Sequence, residues 1–411
     1  MSRLIVLGCI AYLVVGLGQL AIGAVMEPMV HAYGILYGDG GQLVMHQFLG
    51  GMAGILCAPW LMNKFGKKPV LMAAIGVMAA AELLYTLLPP WSVMLTIAPF
   101  AGVGLGMTEA VVGSFVIGAS GEKANIYMSR VETFFGVGAL IIPFAGAGLI
   151  EAGQWKLSFG IVGAMSAATF VLWLVWWPSV LDRPARAGDH AGEPHAPHGR
   201  SADATMPRTR RQGGLILTAC ALFFVVYVGL EMSFIHYLPS LLVASNGMTE
   251  ASATLVLSLF WGAMVIGRLV SGQLADRIGG AAYLLATCAA AAVLFVLMTF
   301  FTGTAPAFVL TFIVGLMMSG MFAIAIVFAN RAFPGATERT TSLLMACGGI
   351  GGALLPEGAG WFLDVHGPSA TRWLFAATAI ALLAVMAWAA AAARRTGRIG
   401  RVVAVEQSHS A

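Results

Sequence analysis

Charged residues are scarce in this chain, and their scarcity decides its class. Lys and Arg number 22 and Asp and Glu 18 among 411 residues, so 10% of the chain is charged. An ordinary soluble domain has about 25% charged residues. Hydrophobic residues reach 59%, more apolar surface than a soluble core can bury, which excludes an ordinary soluble protein. The formal net charge of +4 gives no sign of a nucleic-acid partner.

Cysteine is also rare, and the residue sets that carry catalysis are missing. The five cysteines lie inside apolar runs without metal-ligand spacing, so we expect small core residues rather than disulfides. They are Cys9, Cys57, Cys220, Cys288 and Cys347. The sequence contains no nucleophile–base set, metal cluster or phosphate-binding Gly loop, so we predict no enzyme activity and no cofactor.

Apolar runs are abundant instead, at lengths near the ~20 residues that a helix needs to cross a membrane. The first six are predicted at 4–29, 41–62, 69–88, 92–119, 129–150 and 157–179. The second six are predicted at 213–243, 252–275, 281–302, 306–332, 340–362 and 371–393. The prediction is an all-α membrane protein with twelve transmembrane helices in two six-helix halves.

A polar segment separates the two sets of runs. Residues 183–211 read RPARAGDHAGEPHAPHGRSADATMPRTRR and have little to bury. We interpret this segment as a flexible linker whose histidines are solvated rather than bound to metal. The predicted division of the chain is a first half at 1–180, a linker at 181–212, a second half at 213–393 and a tail at 394–411.

Basic residues in the loops predict the orientation in the membrane. Most of them fall on the side of the two termini and the linker, which makes that side cytoplasmic. They are Lys64, Lys67, Lys68, Lys123, Arg277, Arg331, Arg339, Arg394, Arg395, Arg398 and Arg401, with the linker arginines. The opposite loops carry only Lys156 and Arg372. The first run lacks a cleavage site, so we expect it to be retained in a multi-pass protein of the bacterial inner membrane.

Two loops repeat one another. Residues 60–69 (WLMNKFGKKP) follow the second run and residues 272–281 (GQLADRIGGA) follow the eighth, each with a basic residue, one further residue and Gly. The second loop resembles the cytoplasmic signature of the major facilitator superfamily. That resemblance implies a cytoplasmic gate, weaker in the first half because Asn replaces Asp there. The residues concerned are Asp276, Arg277, Arg268, Asn63 and Lys64. For Arg268, snorkelling to the membrane interface is the alternative.

Carboxylates inside apolar runs are costly in lipid and therefore point to function. In GVGLGMTEAVVGSFV, the residues Gly102, Gly106, Glu109 and Gly113 lie along one helical stripe. Because glycine stripes mark close helix packing, we expect Glu109 to face protein or a cavity. A second stripe of small residues begins at Glu132, and we expect the two stripes to pack together. Local pairing at the start of its helix is the alternative for Glu132.

The seventh run combines a carboxylate with aromatic groups. In VYVGLEMSFIHYLPSLL, the residues Tyr227, Glu231 and Phe234 share one helical face, and His236 lies on a neighbouring face with Pro239. Carboxylates bind hydroxyl groups and rings stack on C–H faces, so this set suits a sugar or polyol. The alternative is a buried Glu231 that only fixes helix packing.

Three other acids lie within or at the ends of the apolar runs. Glu27 and Glu357 each adjoin a proline, and we expect them to border the outer mouth of a cavity or simply to end a helix. Glu82 is predicted to be structural, since its helix has no other polar residue on that face.

Longer stretches resemble the fucose–galactose–gluconate:proton symporter family over nearly the whole chain. They are GVGLGMTEAVVGSFV, RVETFFGVGALIIPF, VGLEMSFIHYLPSLL, VIGRLVSGQLADRIG and GGIGGALLP. The resemblance implies that Glu109 serves sugar recognition and proton coupling, and that Glu231 and Gln47 match polar residues of the family. A family Asp in the first span is replaced here by Ala24. Its role then passes to Glu27, Glu231 or Glu132, or Glu109 acts alone.

These observations predict a monomeric secondary active transporter in the lipid bilayer. It takes up a small polyhydroxylated solute, a monosaccharide such as glucose or mannose, together with protons by alternating access. One alternative is a proton antiporter that exports a drug or metabolite, because GVGALIIPFAGAG at 136–148 faintly resembles an antiporter motif. The other is a nutrient sensor or uncoupled facilitator, because a fold does not fix a function.

Overall fold

The computed structural model describes residues 1–120, 124–181, 208–333 and 337–395, and almost all of them are helical. The helices are α1 (Ser2–Ala24), α2 (Met26–Tyr33), α3 (Tyr37–Phe65), α4 (Lys67–Thr86), α5 (Trp91–Ser120), α6 (Ala124–Glu151), α7 (Leu157–Val175), α8 (Arg208–Asn246), α9 (Glu250–Ile278), α10 (Gly280–Phe300), α11 (Thr304–Met318), α12 (Met321–Ala332) and α13 (Thr337–Arg395). A short 3-10 helix, Ser179–Leu181, follows α7. We call α1–α7 the first half and α8–α13 the second half.

The first predicted run, 4–29, forms two helices instead of one, and Pro28 explains the break. Proline has no backbone N–H, so the carbonyl four residues earlier loses its helical donor. That residue is Ala24, whose carbonyl oxygen accepts a hydrogen bond of 3.2 Å from the Thr254 hydroxyl of α9. The same hydroxyl lies 2.9 Å from the carbonyl oxygen of Glu250 on its own helix. The Ala24 carbonyl that lost its helical donor is therefore hydrogen-bonded by a residue of the second half.

Later runs also differ from single straight helices. The run predicted at 306–332 forms the two helices α11 and α12. The runs 340–362 and 371–393 are joined in α13, where the non-helical Gly367, with φ of +78°, separates them. The described chain has 11 helices long and apolar enough to cross a membrane. The last of these, Thr340–Arg394, contains two crossings, which confirms the predicted all-α fold with twelve spans.

The predicted linker and tail lie mostly outside the described residues. Residues 182–207 and 396–411 belong to that part, as does Lys123. α8 begins at Arg208, inside the segment predicted as linker. The division of the chain at 181–212 remains a prediction.

Large apolar side chains cover the outside of the helix bundle. Leu56 is 70% exposed and Phe144 68%, a surface that suits lipid rather than water. The chain is therefore a multi-pass membrane protein. We call the end that holds the turn between α2 and α3 the outer end, and the opposite end the cytoplasmic end. These names follow the predicted orientation, which remains a prediction.

The glycine stripe of α5 packs mainly on α3 and meets α6 only near its cytoplasmic end, where Gly113 faces Met128. The space for a Cβ at Gly102 is filled by the carbonyl of Gln47, and that at Gly106 by the carbonyl of Gly51. Gly138 of α6, which lies off the stripe of Glu132, packs against the backbone of α1, whereas Gly136 on that stripe faces Val265 of α9. Small residues allow helix backbones to approach closely but do not select the partner helix.

The two repeated loops share one backbone turn. Gly66 follows α3 with φ of 88°, and Gly279 follows α9 with φ of 89°. Only glycine adopts this left-handed region without strain, so both loops need it at the same position. The geometry agrees with the repeat read from the sequence.

The expectation that the cysteines are core residues holds for three of the five. Cys9, Cys220 and Cys288 are buried as predicted, but Cys57 is exposed on the surface of α3 and Cys347 is half-buried. All five are free thiols.

Candidate functional site

Two carboxylates of the first half, Glu109 in α5 and Glu132 in α6, lie within electrostatic range of each other. The Tyr12 hydroxyl in α1 donates a hydrogen bond of 3.0 Å to the backbone carbonyl of Glu109. It is also within electrostatic range of both carboxylates. The neighbours of Glu109 thus come from α1 and α6, so its side chain points toward protein.

Arg268 in α9 joins the second half to this pair. A Cβ built at Gly136, one turn after Glu132, would lie 4.0 Å from the guanidinium Nη1 and 3.0 Å from the Val265 side chain. Arg268 is within electrostatic range of Glu132 and also of Glu231 in α8. Among the described residues no ion pair at salt-bridge distance joins them. One guanidinium therefore lies within electrostatic range of acids from both halves, where Arg268 and Glu132 are exposed, Glu109 is half-buried and Glu231 is buried.

We call Glu109, Glu132, Arg268 and Glu231 the central charge network. Asp276 of the predicted cytoplasmic gate lies eight residues further along α9, or ~12 Å at 1.5 Å per residue. Arg268 is thus near the candidate coupling residues, and its part in the cytoplasmic gate remains a prediction.

Tyr227, predicted to bind solute, is packed inside the second half and is 1% exposed. Its hydroxyl donates a hydrogen bond of 3.2 Å to the carbonyl of Met318, next to the break between α11 and α12. The hydroxyl is also within electrostatic range of the Glu231 carboxyl. The ring stacks on Phe223 with the centroids 5.9 Å apart. In this state Tyr227 is packed inside the second half, and its part in solute binding remains a prediction.

Two more predicted solute contacts are buried against helix backbone. Gln47 donates from Nε2 to the carbonyl of Gly18 in α1 at 3.3 Å. His236 in α8 lies against α1, because a Cβ at Gly23 would be 3.2 Å from its ring. Its Nδ1 is 2.7 Å from the carbonyl oxygen of Met232. His236 therefore lies at the contact between the halves.

The outer ends of the two halves are joined by hydrogen bonds, which we call the outer gate. The Asp364 carboxylate of α13 accepts bonds from the backbone N–H groups of Tyr37, at 2.9 Å, and Gly38, at 2.7 Å. These N–H groups are the first two of α3, which have no partner within their own helix. The hydroxyl of Tyr237 in α8 donates to the Tyr37 carbonyl at 2.9 Å. One half thus caps a helix of the other.

Glu27, predicted as a coupling residue, also lies at the outer gate. Its carboxylate is 2% exposed and accepts from the Tyr37 hydroxyl at 3.1 and 2.9 Å. His31, one turn later, lies with Nε2 3.6 Å from Glu27 and Nδ1 3.1 Å from Glu250 in α9. Contacts of α2 with the second half thus add to those of α3.

The predicted cytoplasmic gate residues are exposed. Asp276 and Arg277 lie on the surface at the end of α9, and Asn63 and Lys64 at the end of α3. The Lys64 ammonium lies over the Trp60 ring of its own helix, 5.0 Å from the centroid. The four gate side chains are therefore accessible in the state whose outer gate is closed.

We expect Asp276→Asn to slow transport while leaving the equilibrium affinity for solute within a few fold. We expect the carboxylate to stabilise the alternative, outward-open state through charge-assisted hydrogen bonds, so that its loss changes the rate of the cycle rather than the binding site. Removing the Asn63 side chain is the control, because no carboxylate is lost there. Uptake rates and solute affinities of both variants in proteoliposomes check this, and equal damage at the two positions contradicts it.

Sequence reasoning missed Tyr12, Tyr37 and Asp364. Tyr12 is a polar residue inside the first run, and Asp364 precedes the turn at Gly367, so both positions carry a local signal. Their partners lie 97 and 327 residues away, and no periodicity within one helix predicts such pairs.

The comparison with family models identifies the chain. The model of the Major Facilitator Superfamily matches residues 8–356 and 238–407. The chain belongs to the Major Facilitator Superfamily. It is thus a membrane transporter and not an enzyme, which confirms the superfamily resemblance of its loops.

Relatives of this superfamily protein cover nearly its whole length. The glucose/mannose transporter GlcP of Bacillus subtilis is 26% identical over 374 residues, which are 91% of each chain. Among solved structures, the nucleoside transporter NupG aligns with a TM-score of 0.73 at 13% identity, covering 94% of this chain and 98% of its own. A bacterial homolog of the lysosomal transporter Spinster, in an inward-facing and unoccupied conformation, gives 0.73 at 16% identity, with 96% and 97% covered. The last two similarities show the fold alone.

Proposed function

We propose that this superfamily member takes up a small polyhydroxylated solute, a monosaccharide such as glucose or mannose, in symport with protons. The central charge network carries the proposal, because it places two acids of the first half, an arginine and an acid of the second half in one connected set. The alignment with the glucose/mannose transporter of Bacillus subtilis covers 91% of each chain, which supports the proposed solute class.

The coupling follows from the cost of charge in a low-dielectric interior. Glu231 is buried and Glu109 half-buried, and a buried carboxyl group is far easier to hold neutral than charged, whereas Glu132 is exposed in this state. When Glu109 or Glu132 gains a proton, the attraction between the first half and Arg268 weakens, and Arg268 is free to turn toward Glu231. Each protonation state thus favours a different arrangement of the halves, and that difference links proton movement to the alternation of access.

Opening and closing of the outer gate is the other step of the proposed transport cycle. Asp364 on the end of α3 and Tyr237 on the Tyr37 carbonyl hold the outer ends of the two halves together in this state. Opening requires these hydrogen bonds to break while the cytoplasmic ends, including Asp276, come together.

Proteoliposomes with purified protein test the proposal. We expect glucose or mannose to accumulate when the outside is made acidic, and to raise the external pH as it enters. Nucleosides and peptides serve as comparison solutes, and a ligand-dependent shift in thermal stability identifies which solute binds. An uncoupler should abolish accumulation but spare exchange. Accumulation unaffected by the uncoupler, or extrusion driven by the same gradient, contradicts proton symport.

A further inference from the structure

Glu82 is a buried carboxyl that the proposed cycle does not use. It lies on α4 with 1% of its surface exposed. Among the described residues, no Lys, Arg or His forms an ion pair with it, and its Oε2 has no hydrogen-bond partner. The structural role predicted from the sequence does not explain this, because polar groups that hold a core together are normally hydrogen-bonded.

Three other helices surround the carboxyl with apolar groups. A Cβ at Gly18 of α1 would lie 2.9 Å from Leu105 of α5, 3.4 Å from Val162 of α7 and 3.7 Å from Oε1 of Glu82. The titratable neighbour is Tyr85 on the same helix, whose hydroxyl is directed at a backbone carbonyl 3.5 Å away. In the described part of the chain, these walls supply no Lys, Arg or His that pairs with the Glu82 carboxylate.

This environment favours the neutral form of the Glu82 side chain over the charged form. A neutral carboxylic acid is tolerated in an apolar core, whereas an unpaired carboxylate requires a counter-charge or water. Ionisation of Glu82 therefore requires the helices around Gly18 to move apart and admit water. The charge on this residue and the packing of α1 are thus coupled.

The same turn of α1 is held by Gln47 from its other side. Gln47 donates to the Gly18 carbonyl at 3.3 Å, and its own Oε1 has no hydrogen-bond partner in the described part of the chain. Gln47 is therefore bonded to Gly18, and the Glu82 carboxyl faces the position where a Cβ of that residue would lie. A displacement of Gly18 changes the position of an amide that the family resemblance assigns to the solute site.

We propose that Glu82 is a second proton-binding site in the first half, neutral while the outer gate is closed, and that loss of its proton moves Gly18 and Gln47. Its part in transport depends on the proposed proton symport. Proton binding at Glu82 itself does not depend on which solute is carried.

Infrared difference spectroscopy of the purified protein in lipid vesicles tests the site without any solute. Between acidic and alkaline medium, we expect the wild type to show the carbonyl stretch of a buried carboxylic acid that Glu82→Gln loses. Glu82→Asp keeps a carboxyl and should return the band at a changed frequency. Glu151→Gln, at the exposed outer end of α6, is the control and should leave the band in place.

Transport measurements connect the site to coupling. In proteoliposomes, Glu82→Gln should lower the number of protons moved per solute by about one, with exchange of solute retained. A Glu82→Gln spectrum that keeps the full carboxylic acid intensity of the wild type overturns the proposal, even when uptake is proton-driven, whereas bands of Glu109 or Glu132 remain in either case. If transport proves uncoupled from protons while the band is lost, the proposed symport fails and the proton site stands. If Glu82→Gln does not fold, absence of the band in the wild type or of its shift in Glu82→Asp overturns the proposal.

Discussion

Glu109→Gln should abolish uphill accumulation of solute while solute exchange across the membrane survives. Glutamine has the shape and neutrality of the protonated acid, so the variant binds solute but cannot release a proton. A pH difference of one unit corresponds to about 1.36 kcal/mol per proton, which supports about tenfold accumulation for each proton moved with a solute. The variant should reach a ratio of about one. Proton-driven uptake and counterflow in the same proteoliposomes measure both properties.

Two further variants sharpen this result. Glu109→Ala should lose exchange as well, because it removes the hydrogen-bonding group. Glu151→Gln makes the same chemical change at an exposed position of α6 and should accumulate solute as the wild type does. Concentration of solute against its gradient by Glu109→Gln shows that another carboxyl couples, with Glu132 the next candidate in the central charge network.

Asp364→Asn should populate the outward-open state more strongly. The aspartate accepts bonds from two N–H groups of α3 at 2.9 and 2.7 Å across the halves, and a negative charge is favoured at a helix N-terminus. Asparagine keeps one acceptor oxygen and loses the charge. A hydrogen bond to a charged group contributes about 1.5–3 kcal/mol, so the population of the open state should rise about tenfold or more.

Distances between spin labels at the outer end measure this shift. Positions Gln154 and Thr302 are exposed in the outer loops of the first and second half. The labels require a background in which the native thiols are replaced, since Cys57 is itself exposed. The expected result is a larger share of long distances in Asp364→Asn.

Asp39→Asn is the matched control for that variant. Asp39 also caps the start of α3, with Oδ2 3.1 Å from the backbone N–H of Leu36, but this bond stays within the first half. Its substitution weakens the same helix end and should leave the distances unchanged. The same shift in both variants means that the integrity of α3, and not the bond between halves, controls the outer gate.

Local features of the sequence determined the membrane class and much of the fold. A run of about 20 apolar residues has to be helical in lipid because its backbone polar groups need internal partners. The two loops at Gly66 and Gly279 were recognised as a repeat because a left-handed turn restricts its position to glycine. The stripe that carries Glu109 was visible because helical periodicity lies within one segment.

The tertiary structure alone decided which helices meet and which side chains share a site. Apolar helices in lipid have similar surfaces, so the stripe of Gly102 and Gly106 could pack on any small-residue face, and it packs on α3. Arg268 lies in the central charge network, and Asp364 accepts a hydrogen bond from the first residue of α3, which is 327 positions away in the sequence. Such pairs depend on how helices from the two halves are placed in space, and the local sequence around a residue does not predict that placement.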